Sequence, residues 1–132
     1  MNITNALVVD DDIAFCRILH RMLSEEQYTV QTSRSVADAL AAVEQKSFDV
    51  YVVDYKLPDG SGLDVAERIR SKWGATPIIL ISGYDPGAVA LRAEKLGISD
   101  FLENLELLRS GALFFWAGFC WSYISRVGSS EY

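Results

Sequence analysis

Three short stretches carry groups that could do chemistry together: Asp10-Asp11-Asp12, Asp54 with Lys56 two residues on, and Ser82-Gly83. Each follows an apolar run, respectively Ala6-Leu7-Val8-Val9, Val50-Tyr51-Val52-Val53 and Ile78-Ile79-Leu80-Ile81. Carboxylates gathered in one crevice repel one another, so either a proton is retained or a hard cation neutralises them. Mg2+ suits that role, because it favours oxygen ligands, keeps several waters and takes one or two protein carboxylates with the phosphoryl group it serves. Asp54 then has a nucleophile's part open to it, since carboxylates form aspartyl-phosphate intermediates. Ser82 can hydrogen-bond a phosphoryl oxygen, and Gly83 leaves space for a donor. The plainer alternatives are solvated loop carboxylates and, for Ser82, a strand-to-helix turn residue.

The elements that must position these groups follow from hydrophobic spacing. The three apolar runs lack polar alternation, the pattern of parallel strands buried on both faces. Phe15, Ile18, Leu19, Met22 and Leu23 recur at helical spacing, with Asp12 placed as N-cap. Tyr28 to Thr32 alternates and reads as a strand near the sheet edge. Ser35 caps a helix through Lys46 that buries Val36, Leu40 and Val43. Leu63, Val65, Ala66 and Ile69 mark a third helix ending near Trp73-Gly74. A strand over 76–81, a helix over 86–96 with Gly97 past its end, and a strand over 98–102 complete the series. Five strands alternating with helices imply right-handed crossovers and a flavodoxin-like, doubly wound parallel α/β sheet of order 2-1-3-4-5 with helices on both faces. On that topology Asp10, Asp11 and Asp54 meet at the switch point, and ligands bind outside the carboxyl ends of the strands.

The 132 residues suit one domain spanning 1–132. A net charge of −6 argues against direct nucleic-acid binding and for a cationic partner or metal ion. Cys16 and Cys120 form no metal or redox spacing and read as small apolar residues in a reducing compartment. His20 falls off the apolar stripe and reads as a solvated side chain. The first residues lack the basic and apolar regions of a signal peptide, and the expected location is the cytoplasm.

With these motifs in place, the chain resembles a response-regulator receiver domain of two-component signalling. Val8-Val9-Asp10-Asp11 matches that family's acidic pair, Asp54 its phosphoacceptor, Leu57-Pro58-Asp59-Gly60-Ser61-Gly62 the loop that follows, and Ser82-Gly83 the hydroxyl residue with its small neighbour. The match runs from about residue 5 to about residue 103. The resemblance implies Mg2+ held by Asp11, Asp54 and the Lys56 main-chain carbonyl, with Asp10 acting through water. It implies a phosphoryl group taken from a sensor histidine kinase or a histidine phosphotransfer protein. It also implies a switch in which Ser82 and Phe101 move together, although Phe101 taken by sequence alone reads as a core aromatic. The chain would catalyse only its own phosphorylation and dephosphorylation. A phosphatase of the aspartyl-phosphate type would place a second aspartate two residues after the nucleophile, where Lys56 stands.

Two positions depart from the family pattern. Receivers carry a lysine and a proline after the fifth strand, and here Asn104-Leu105 stand there. Asn104 can donate a hydrogen bond but brings no charge to a phosphoryl group. This motivates the alternative of a pseudo-receiver, a protein-interaction module that is not phosphorylated. The segment 112–124 is apolar nearly all round, within an expected last helix over about 105–126. It is shorter than a membrane span, and it reads as a surface buried in a homodimer, as a reading-frame departure near residue 103, or as a membrane-surface attachment, the last weakened by the near absence of basic residues beside Arg126.

Overall fold

The computed structural model describes residues 4–25, 27–81, 87–98 and 100–102. Strands β1 (Thr4–Val9), β2 (Tyr28–Ser33) and β3 (Val50–Asp54) alternate with helices α1 (Ile13–Glu25) and α2 (Val36–Gln45). A two-residue pair, β4 (Lys56–Leu57) and β5 (Gly60–Ser61), precedes helix α3 (Gly62–Trp73). Strand β6 (Ile78–Ile81), helix α4 (Gly87–Lys95) and strand β7 (Asp100–Leu102) follow. The five longer strands form one parallel sheet of order β2-β1-β3-β6-β7. Apart from the small hairpin, this is the 2-1-3-4-5 order expected from the sequence.

The apolar strands sort by parity. Leu7, Val9, Tyr51, Val53, Ile78 and Leu80 face a core closed by α2, α3 and Ala93 of α4. Ala6, Val8, Val50, Val52, Ile79 and Ile81 face Phe15, Cys16, Leu19 and Leu23 of α1. Successive residues of a strand point to opposite faces, so a strand covered on both sides must be apolar throughout. All four residues of β6 and the first four of β3 meet that requirement. β2 lies at the edge, where its half-buried Tyr28 and Val30 alternate with exposed neighbours.

Helix ends are held as the sequence dictates. Asp12 Oδ1 accepts from the Phe15 amide at 3.0 Å, and Ser35 Oγ accepts from the Asp38 amide at 3.1 Å, each satisfying an otherwise orphaned N–H. α4 closes with Gly97 at φ +65, its amide donating to Glu94 O at 3.0 Å while the Ile98 amide donates to Ala93 O at 3.1 Å. That pair of bonds is a Schellman cap, which glycine enters without steric penalty. The fourth long strand begins at Ile78, two residues later than expected, because the Thr76 carbonyl is taken by the Arg70 guanidinium and Pro77 has no N–H to give to the ladder. The fifth begins at Asp100, since Ile98 is used in the helix cap. Among the described residues no helix is long and apolar enough to cross a membrane. The expected helix at 105–126, its apolar segment 112–124 and Cys120 lie outside the described residues.

Candidate functional site

The ladder between β1 and β3 pairs Val9 with Val53. The next residues, Asp10 and Asp54, therefore leave the sheet side by side at its carboxyl-terminal edge. Asp10, Asp11 and Asp54 each offer a carboxylate oxygen, all within 4.8 Å of one another. Asp10 and Asp54 are buried, at 1% and 6% exposure, while Asp11 is exposed. Asp10 is further fixed by its amide donating to Ser33 O at 3.0 Å, and its Oδ1 accepts from the Asp12 amide at 2.9 Å. An all-oxygen, all-anionic donor set with two members withdrawn from water fits a hard divalent cation, which would offset the mutual repulsion.

Behind this cluster the Cys16 thiol lies in the core and donates to the Asp10 carbonyl at 3.1 Å. Burial, with Asp10 and Asp12 nearby, pushes its pKa up to about 12, so it stays protonated and inert as a nucleophile. The expectation of a small apolar residue holds, with a hydrogen bond added. His20 is exposed, its Nδ1 3.4 Å from Ser24 Oγ.

The segment after Asp54 is closely packed. The Tyr55 amide donates to Ile81 O at 2.8 Å, and the Gly62 amide donates to Tyr55 O at 2.7 Å. Gly62 sits so close that a Cβ there would collide with the Asp54 carbonyl oxygen and lie 2.8 Å from Val53 Cγ1. Only glycine allows α3 to start against the end of β3. Ser61 caps α3, its Oγ accepting from the Leu63 amide at 3.0 Å. Lys56 stands in β4, opposite Ser61.

The structure thus brings Asp10, Asp11 and Asp54 together and sets Lys56 two residues beyond. Ile81, the residue before Ser82, is the register partner of Asp54, and Phe101 pairs with Leu80 in the next strand. Ser82, Gly83 and Asn104 lie outside the described residues. The sequence motif contained Asp59, Ser61 and Gly62 without assigning them separate roles. A hydroxyl two residues before the helical apolar stripe at Leu63 was the signal that could have found the Ser61 cap, but nothing local signalled the partner of Asp59. Its carboxylate accepts from the Val36 amide at 2.7 Å and the Ala37 amide at 3.0 Å, at the start of α2.

A family model described as the response regulator receiver domain matches residues 6–104, ending where the composition turns apolar. The chain belongs to this family. It is 42% identical over 96 residues to the acid tolerance regulatory protein ActR of Rhizobium meliloti (strain 1021), a match covering 73% of this chain and 50% of that protein. It is 34% identical over 96 residues to the transcriptional regulatory protein ZraR of Salmonella typhimurium (strain LT2), covering 73% of this chain and 22% of that protein. The chain therefore spans about half the length, or less, of these curated relatives. Among solved structures, a CheY-like response regulator receiver domain protein from Methanospirillum hungatei JF-1 superposes with a TM-score of 0.74 at 24% identity, covering 82% of this chain and 90% of that one. This last likeness supports the fold. The expectation of no direct nucleic-acid binding finds no support, because one relative is itself named a transcriptional regulatory protein.

Proposed function

We propose that Asp54 accepts a phosphoryl group from a phosphohistidine on a sensor histidine kinase or histidine phosphotransfer protein, with Mg2+ as cofactor, and that the modified domain alters its protein contacts. The observation that carries this reading is the cluster of Asp10, Asp11 and Asp54 at adjoining strand ends in a chain of the receiver family. In the transfer the donor P–N bond breaks as a bond forms from phosphorus to an Asp54 oxygen, and the imidazole departs. Asp11, Asp54 and the Lys56 main-chain carbonyl would hold Mg2+, with Asp10 acting through water. When bound, the ion offsets the negative charge shared by the carboxylate and the phosphoryl group. Asp54 is buried, and Gly62 packs against its backbone, leaving the main chain that carries the carboxylate no room to shift toward α3. Ser82, Gly83, Phe101 and Asn104 are assigned to phosphoryl binding and the switch. The chain acts on no other substrate and works in the cytoplasm, where response regulators generally operate.

The test is incubation with Mg2+ and a small acyl phosphate, followed by intact mass. We expect a gain of one phosphoryl group that Asp54→Asn abolishes. No gain with any donor would instead establish the pseudo-receiver reading that Asn104 motivates. The apolar segment 112–124 is assigned to self-association, which a monomeric mass by light scattering at tens of micromolar would refute.

A further inference from the structure

We infer that Asp59 is a positioning residue for the phosphoacceptor site, acting through the hairpin that carries Lys56; this rests on the function proposed above. The hairpin of β4 and β5 has only two residue pairs, Lys56 with Ser61 and Leu57 with Gly60. An isolated two-stranded ribbon is marginal in water even when much longer, so this one needs an external anchor. Asp59, in its turn, provides it. One carboxylate oxygen accepts from the Val36 amide at 2.7 Å and the other from the Ala37 amide at 3.0 Å. The two bonds join residues 22 and 23 positions apart. They occupy first-turn amides of α2 that Ser35, whose hydroxyl serves Asp38, does not reach.

The contact is reinforced by packing. A Cβ on Gly60 would lie 3.2 Å from Val36 Cγ2, so the hairpin backbone already rests on the first side chain of α2. The Val36 and Ala37 hydrogen bonds hold the Asp59 carboxyl below its usual range, in keeping with an anion at a helix N-terminus. The hairpin is thereby tied at its tip to α2; at its base the Gly62 amide donates to Tyr55 O, and the Tyr55 amide donates to Ile81 O of β6. Lys56 lies between these two ties. Its main-chain carbonyl, the neutral ligand in the proposed metal set, is held in place by the hook three residues further on.

The experiment compares wild type, Asp59→Ala, Asp59→Asn and Ser35→Ala. Ser35→Ala removes the other α2 cap without touching the hairpin, and so separates helix stability from hairpin position. Mg2+ is titrated by calorimetry with the chloride salt, and amide hydrogen exchange is followed over residues 57–61 without metal. Asp59→Ala is expected to weaken Mg2+ binding about tenfold, the usual scale for a partner that orients a ligand, and to speed exchange in the hairpin. Asp59→Asn, which keeps one acceptor oxygen, recovers part of both losses, and Ser35→Ala matches wild type in both. Equal weakening by Ser35→Ala, or wild-type behaviour of Asp59→Ala, overturns the assignment. If wild type binds no Mg2+, the phosphoacceptor reading itself fails. The hook is then decided by exchange alone, and equal protection of 57–61 in wild type and Asp59→Ala overturns it.

Discussion

At the carboxyl-terminal end of the sheet three carboxylates converge with their oxygens within 4.8 Å, whereas at the amino-terminal end one guanidinium gathers four carbonyls. Arg70, half-buried near the end of α3, donates from Nε to Leu96 O at 2.6 Å and from Nη2 to Gly97 O at 2.6 Å. Its Nη1 donates to Gly74 O at 3.1 Å and Thr76 O at 2.7 Å. These carbonyls lie at the ends of α3 and α4 and just before β6. A cation there satisfies orphaned acceptors and meets the negative ends of two helix dipoles. Burial lowers the pKa of the guanidinium, but a group that deprotonates only above neutrality by many decades remains charged. On the same edge, Asn5 and Asp49 bind each other, the Asn5 amide to Asp49 Oδ2 and the Asp49 amide to Asn5 O, both at 2.7 Å. One end holds like charges that invite a ligand. The other has its charges and carbonyls already matched. The acidic cluster and the guanidinium hub therefore lie at opposite edges of one sheet.

That contrast can be broken most forcefully at the satisfied end. Arg70→Ala is expected to lower unfolding free energy by about 2–4 kcal/mol, because it strips charge-assisted bonds from several partly buried carbonyls at once. Urea denaturation should show a shifted midpoint with an unchanged slope. Arg70→Lys should recover only a small part, since a single ammonium cannot span the fork. A loss below about 0.5 kcal/mol for the alanine variant would show that water replaces the guanidinium freely.

At the acidic end the expected sign is opposite and the effect smaller. Asp11→Asn removes one of three mutually repelling charges, so in EDTA it should stabilise the fold by up to about 1 kcal/mol. With saturating Mg2+ the order should reverse, because wild type gains the binding free energy of the ion and the variant forfeits much of it. Thermal melts with and without the metal check both signs. A variant less stable than wild type in EDTA would mean that the cluster is not under electrostatic strain.

The smallest effect separates either edge from an ordinary surface ion pair. Glu44 of α2 accepts from Arg68 at 2.5 Å and Lys72 at 2.8 Å, and chiefly the Arg68 bond lowers its pKa from 4.5 to about 2. A carboxyl depressed on folding contributes stability above its unfolded value, and that contribution is lost as pH falls from about 4.5 towards about 2. Glu44→Gln should flatten the acid limb of the stability profile in that window and nowhere else. Raised salt should mimic the variant, since all three side chains are substantially exposed.

What could be read from the sequence divides along the same physical line. The central strands were legible because burial on both faces forces unbroken apolar runs, and the acidic cluster was legible because each carboxylate follows such a run. Asp12 and Ser35 were legible as caps because a cap acts within three residues of itself. The hairpin of β4 and β5 left no periodic signal, being two residues deep. Arg70 and Asp59 were equally silent, since each serves backbone groups more than twenty positions away and backbone groups carry no sequence mark. The start of β6 was misplaced because the Thr76 carbonyl goes to Arg70, a backbone group that carries no sequence mark.

The pairing of Val9 with Val53 carries a last implication. Sliding β1 by a single residue would set Asp11 level with Asp54 and, in the same movement, turn Ala6 and Val8 toward α2 and α3 while Leu7 and Val9 met α1. No local adjustment could repair one fault without the other. Whatever preserves the fit of the hydrophobic layers thus also keeps Asp10 level with Asp54, so the register of these two strand-end carboxylates is set by the core itself.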